Sequence, residues 1–397
     1  MPRPRAVPLL LCLLCLGLAA CGSSGDGGER RGPQVGVRGE EPEAAGDLGF
    51  PAFATKNTTR VGGADPIADA AAVARAVFPG VEPAARPKAV ALVDKDDWRA
   101  GVAAAALMAE PIGAPALLSD GSDLPPATRD ALDALSPTGA EEAGDAQVIR
   151  VGDVAEIDGR STTDVEGDDA PELAARIDAL LSAARGRTSD RIVVVGTERP
   201  EIALPAAGWA AKSGDPVLFT DRDRLPAATR EAIERHQQPK LYVLGDEQAV
   251  SSRVERQLRR LGTVRRIEDG GDPLANSIAF ARFVDGSFGW GVVDPGHGLV
   301  FVNGSRPLDA LAAAPLSASG KYGPILVHPG GARLPRALES YLLDIQPGYR
   351  RDPVRGVYNH GWVIGDEAAL PIATQSRIDA LLEITQVETD TSTQPSS

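Results

Sequence analysis

Three sets of residues in this sequence could do chemistry: four histidines, a serine between glycine and arginine, and arginines at recurring positions. The histidines are His236, His297, His328 and His360, and imidazole is a common metal ligand. His297 and His360 each precede an expected strand, whereas His328 follows one. A parallel sheet would put His328 at the opposite edge from the other two. Two histidines without a placed carboxylate make no metal site, so neither a metal nor another cofactor is expected. Gly304-Ser305-Arg306 lacks the glycine pattern of a nucleophile elbow, and there is no Gly-x-x-x-x-Gly-Lys-Ser/Thr phosphate loop. The expectation is a non-enzymatic protein. The arginines are more informative, because guanidinium forks match phosphate or carboxylate oxygens two bonds at a time. Arg60, Arg129, Arg230, Arg333 and Arg336 are the candidate anion contacts.

One cysteine carries a separate signal. Arg3 and Arg5 precede an apolar run, Val7 to Leu18, broken by Pro8 and Gly17. About a dozen residues are too few to span a bilayer and suit a signal-peptide core. The run ends in Leu18-Ala19-Ala20-Cys21, which resembles a bacterial lipobox. That resemblance implies cleavage before Cys21, diacylation of its thiol, and attachment to the outer face of the cytoplasmic membrane. Cys12 and Cys15 would leave with the leader, so the mature chain would form no disulfide. Loss of Arg3 and Arg5 leaves 39 basic against 55 acidic residues, a balance that repels nucleic acid. Only 6 of the 41 basic residues are lysine; this usage suits a GC-rich, actinobacterium-like genome.

The elements that must position the arginines recur three times. An Asp- and Pro-containing turn before a helix occurs at Asp65-Pro66, at Asp169-Ala170-Pro171 and at Asp272-Pro273, with proline suited to a first helical turn. Each turn leads to a continuous apolar run: 89–93, 192–196 and 299–302. Such runs read as buried parallel strands. Ala-rich helices are expected over 100–108, 203–212 and 308–318. Short strands come next, from Pro115, Pro216 and Pro324. After them come Pro-started helices from Leu124-Pro125, Leu225-Pro226 and Leu334-Pro335. A third strand closes each unit before Gly152-Asp153, Gly245-Asp246 or Gly365-Asp366, where glycine permits a tight turn.

The expected fold is therefore α/β: three homologous, open, mostly parallel α/β repeats, for which a pseudo-threefold ring is the symmetric packing. The expected organisation is a lipoprotein signal peptide (1–20), a flexible Gly/Ser-rich tether (21–56), repeats at 57–161, 162–263 and 264–386, and a disordered tail (387–397).

The ordered phrases resemble the cell-wall-binding repeat 2 family. Arg60-Val61-Gly62-Gly63-Ala64-Asp65 is similar to its opening phrase, and Pro307-Leu308-Asp309-Ala310-Leu311-Ala312-Ala313-Ala314-Pro315-Leu316 to its Ala-rich helix. Pro324-Ile325-Leu326 matches the family's next strand, and Leu225-Pro226-Ala227-Ala228-Thr229-Arg230 its next helix start. The resemblance implies non-covalent binding to anionic, teichoic-acid-like or other wall glycopolymer. It implicates the short strand of each unit: Pro115, Leu117 and Leu118; Pro216 and Leu218; Pro324, Ile325 and Leu326. The sequence departs from the family where Asp164 replaces Arg60 and Glu339 replaces Arg129 and Arg230. The leading expectation is a monomeric surface lipoprotein, acting as a covalent pseudo-trimer, that links membrane to wall. The alternatives are a solute-binding lipoprotein of a transporter, or a scaffold that has lost polymer binding.

Overall fold

The apolar runs form strands in a computed structural model that describes residues 52–387 apart from 81 and 319–322. The expected signal peptide, Cys21, the tether up to residue 51 and the tail beyond 387 lie outside the described residues. The strands are β1 Ala52–Ala54, β2 Thr58–Val61, β3 Val90–Asp94, β4 Ala116–Ser119, β5 Val148–Val151, β6 Thr162–Val165, β7 Arg191–Gly196, β8 Val217–Thr220, β9 Lys240–Leu244, β10 Thr263–Ile267, β11 Gly298–Asn303, β12 Ile325–His328, β13 Gly348–Tyr349, β14 His360–Ile364 and β15 Thr385–Gln386.

Three larger sheets share one strand order. They run β4-β3-β5-β6, β8-β7-β9-β10 and β12-β11-β14-β2-β1, and all pairings are parallel except β1 with β2. Each sheet is thus completed by the opening strand of another unit. β6, which opens the second unit, joins the first sheet. β10 opens the third unit and joins the second sheet, and β2 opens the first unit and joins the third. From sequence these opening phrases read only as turns before helices. Their β-branched residues, Thr-Thr-Arg-Val and Thr-Thr-Asp-Val, are the local sign that they are strands.

The expected Asp-Pro turns cap helices. Asp65, Asp169 and Asp272 are N-caps whose carboxylates accept from the amides of Ala68, Glu172 and Ala275. Each cap contributes about 1 kcal/mol. These three helices, Pro66–Val77, Ala170–Arg185 and Pro273–Arg282, pack on β4, β8 and β12. The Ala-rich helices are more broken than expected. The first is α-helical over Trp98–Ala104 and tightens to 3-10 over Ala105–Met108, and the second breaks at Leu204 before Pro205–Ser213. Proline cannot donate to the preceding turn, which accounts for the second break.

Small side chains let these helices meet. A methyl group on Gly101 would lie 2.9 Å from Leu308 Cδ2, and one on Gly208 2.8 Å from Ser317 Oγ. The resulting buried core is continuous across all three units and is built chiefly from Ala, Val, Leu and Ile.

Candidate functional site

Arg60 sits on β2, and its guanidinium turns inward. Nε donates to Gln375 Oε1 at 2.9 Å, one Nη to the carbonyls of Gly365 and Asp366 at 2.7 Å each, and the other to Leu370 O at 2.6 Å. The residue is 7% exposed. Arg266 on β10 repeats the arrangement in the second sheet. It bonds Gly245 O at 2.6 Å, Val250 O at 2.8 Å and the Glu255 carboxylate at 2.6 and 3.0 Å. Gly245 and Gly365 turn at φ +93° and +85°, and the loop carbonyls there are what the arginines collect. In the first sheet, Asp164 stands at the matching place. Arg150, directly opposite it on β5, reaches Ala155 O at 3.1 Å, Val154 O at 2.9 Å and Asp164 Oδ1 at 3.0 Å. The substitution at 164 is therefore a swap across one register pair, not a lost contact. Arg60, expected as a polymer contact, is placed as a clamp between the first unit's opening strand and the third unit.

The short strands expected to meet polymer are also buried, at Pro115, Leu117, Leu118, Pro216, Leu218, Pro324, Ile325 and Leu326 alike. The prolines supply carbonyls to the central strands, accepting from Ala91, Val193 and Val300 amides at 2.9, 2.9 and 3.0 Å. What these strands present outward is the loop at their C-terminal end and the helix after it. Thr128 and Thr229 pin that helix, each hydroxyl donating to the carbonyl of Leu118 or Phe219 at 2.5 Å. Leu338 stands at the corresponding place in the third unit.

The remaining arginines lie on these loops and helices. Arg129 is exposed and reaches Leu124 O at 3.4 Å. Arg230 is half-buried, 3.5 Å from Gln257 Oε1. Arg333 and Arg336 are exposed and make no hydrogen bond or ion pair among the described residues.

The three loops differ in charge. Residues 120–125 carry Asp120 and Asp123, with Lys95 3.2 Å from Asp120. Residues 221–226 carry two self-contained ion pairs, Arg222–Asp223 at 2.7 Å and Arg224–Asp221 at 2.6 Å. Residues 329–336 carry Arg333 and Arg336 and no acid. Beside this basic loop is a groove of about 530 Å³. Val327, Pro329, Pro335, Leu274, Ser305 and Glu201 are among the residues lining it.

Two buried clusters that sequence reasoning missed hold the frame. Asp69 accepts from Gly63 N at 2.6 Å and from Arg306 at 2.5 Å, while Arg306 Nε lies 2.9 Å from Asp309. Both carboxyls are fully buried. Burial, and then the nearby Asp309, push Asp69 up to about 9; burial pushes Asp309 up to about 6 against the pull of Arg306. The second cluster is His236, held between Asp178, 2.9 Å from Nε2, and Ser189 O, 2.7 Å from Nδ1. Burial works against its charge, but the Asp178 bond and charge with the Ser189 carbonyl leave its pKa raised.

The other histidines are placed as their sequence positions indicated. His360 N donates to His297 O at 3.0 Å, and His328 ends β12. Burial pushes His328 down to about 4. Among the described residues no three His, Cys, Asp or Glu side chains are grouped to hold a metal ion.

Residues 165–255 match the family model of cell wall binding domain 2. Curated relatives include the amidase enhancer of Bacillus subtilis strain 168, 30% identical over 148 residues, which are 37% of this chain and 19% of that protein. N-acetylmuramoyl-L-alanine amidase LytC of the same strain is 28% identical over 140 residues, 35% of this chain and 26% of that protein. The chain thus aligns with about a fifth to a quarter of these relatives. Among solved structures, Cwp8 and Cwp6 from Clostridium difficile share the fold. Cwp8 has a TM-score of 0.63 at 20% identity over 83% of this chain and 52% of that one. Cwp6 has a TM-score of 0.64 at 18% identity over 84% of this chain and 50% of that one.

Proposed function

The chain carries a cell wall binding domain 2, and from that premise we propose that it is a non-enzymatic surface lipoprotein that grips an anionic wall glycopolymer. In this reading, lipid on Cys21 holds the same chain to the outer face of the membrane, residues 21–56 act as the tether, and the protein works as a monomer. The observation that carries the polymer reading is the pair Arg333 and Arg336. Arg333, on a loop without acid, and Arg336, at the start of the following helix, are exposed and, among the described residues, unpaired, beside a groove whose lining includes Glu201 and Asp272, in a chain of net charge −14. A polyanion kept off the rest of such a surface meets local positive charge there. Arg129 and Arg230 are secondary contacts, because the loops just before them carry acids.

The test is co-sedimentation of the full chain with purified wall polymer at low and high salt, for wild type and for Arg333→Ala with Arg336→Ala. We expect about a tenfold or greater loss of binding in the double variant, and weaker wild-type binding at high salt. Equal binding by both proteins would overturn the assignment. Fractionation of Cys21→Ala cells tests the second attachment: the variant should leave the membrane fraction yet stay with the wall.

A further inference from the structure

The three sheets end differently. In the third, β1 covers the outer edge of β2 in antiparallel pairing, with Ala52 opposite Val61, Phe53 opposite Arg60 and Ala54 opposite Thr59. In the first sheet the matching strand, β6, is the last, and among the described residues no strand pairs with its outer side. Register makes the two strands comparable: Gly361 and Val363 flank Thr58 and Arg60 as Val148 and Arg150 flank Thr162 and Asp164. Ser161 and Val165 turn their carbonyls inward, to the amides of Gln147, Val148 and Gly152. Strand alternation then points the N–H and C=O of Thr162 and Asp164 outward. Thr58 and Arg60 are buried, whereas Thr162 and Asp164 are exposed. Beside this open edge runs a groove of about 490 Å³, lined by residues 163–166 and by Arg176 and Leu180 of the neighbouring helix.

We propose that the open edge of β6 is a docking site for an extended segment of a partner protein, which adds as an antiparallel strand in the way β1 adds to β2. Unpaired main-chain groups beside a groove suit strand addition. The seat of Ala52-Phe53-Ala54 on β2 shows that such an edge accepts a small–large–small segment. Glu166 is exposed at the end of this edge, but Asp164 is paired with Arg150 and Arg176 lines the groove, so the segment that fits is held by its main chain and its small–large–small side chains. The edge of β10 is also open among the described residues. The groove described above, however, is lined by residues of β6 and by none of β10.

The probe is a labelled synthetic peptide of residues 51–57, Pro-Ala-Phe-Ala-Thr-Lys-Asn, titrated into the full chain. Anisotropy should saturate, and hydrogen exchange at the Thr162 and Asp164 amides should slow at least tenfold while that at Val264 stays unchanged. Thr162→Pro removes an outward donor at an exposed strand start and should weaken binding tenfold or more. The same peptide carrying Phe53→Pro, which puts a residue without an N–H opposite Asp164 in the β1 register, should bind at least tenfold more weakly. Protection confined to β2, self-association of the chain through β6 without peptide uptake, or binding indifferent to both variants would each overturn the proposal.

Discussion

Arg60→Ala tests the distinction between frame and binding site most directly. The substitution removes four hydrogen bonds of 2.6–2.9 Å, three of them to main-chain carbonyls of the 365–370 loop, from a residue 7% exposed. A hydrogen bond to a charged group contributes about 1.5–3 kcal/mol, and a carbonyl left buried without a donor costs about 1–3 kcal/mol. Summing these overshoots, because water and relaxation recover part; breaking a buried charged network typically costs about 3–5 kcal/mol. For the roughly 330 described residues the entropy of unfolding is about 0.7 kcal/mol/K, so 4 kcal/mol lowers the melting temperature by about 6 °C. Calorimetry and urea unfolding of the full chain would measure this. Arg60→Lys, which can reach one or two of the carbonyls, should recover part of the loss. Polymer binding measured well below the melting transition should change little. An Arg60→Ala protein that melts within a degree of wild type but no longer binds polymer would refute the reasoning and return Arg60 to the binding surface.

Two further outcomes concern the buried polar groups. Asp69 holds its proton in the fold to a pH far above the unfolded value, so wild-type stability should fall as pH rises from about 4 toward 9, by at most about 1.4 kcal/mol per pH unit for each proton. Asp69→Asn cannot ionise, so its stability relative to wild type should increase between pH 5 and 8; parallel curves would contradict the raised pKa. Thr229→Val removes the hydroxyl that donates to Phe219 O and should cost about 1–2 kcal/mol in urea unfolding; no change would show that this bond does not hold the helix.

The order of elements was legible in the sequence because its signals are local. Apolar runs of four to six residues, an aspartate before a first-turn proline, and glycine after a strand each act within a few residues. They gave three α/β units and their capped helices correctly. The strand exchange was not legible. Nothing near Thr58–Val61 says that its partner is β14, some 300 residues away, and β-branched composition alone names no neighbour. The same gap hid where the arginines sit. Arg60 and Arg333 both sit close to glycines and aliphatics in the chain, yet one is a buried clamp and the other lies exposed on the surface. One sequence clue was present: Arg60 and Arg266 both lie inside β-branched runs, where a charge must find an internal partner. What sequence by itself determined is the periodic, local part of this protein: the elements and their threefold recurrence. Only tertiary structure decided which arginines face solvent, because burial depends on long-range register, and register places loop carbonyls around one guanidinium and leaves another in water.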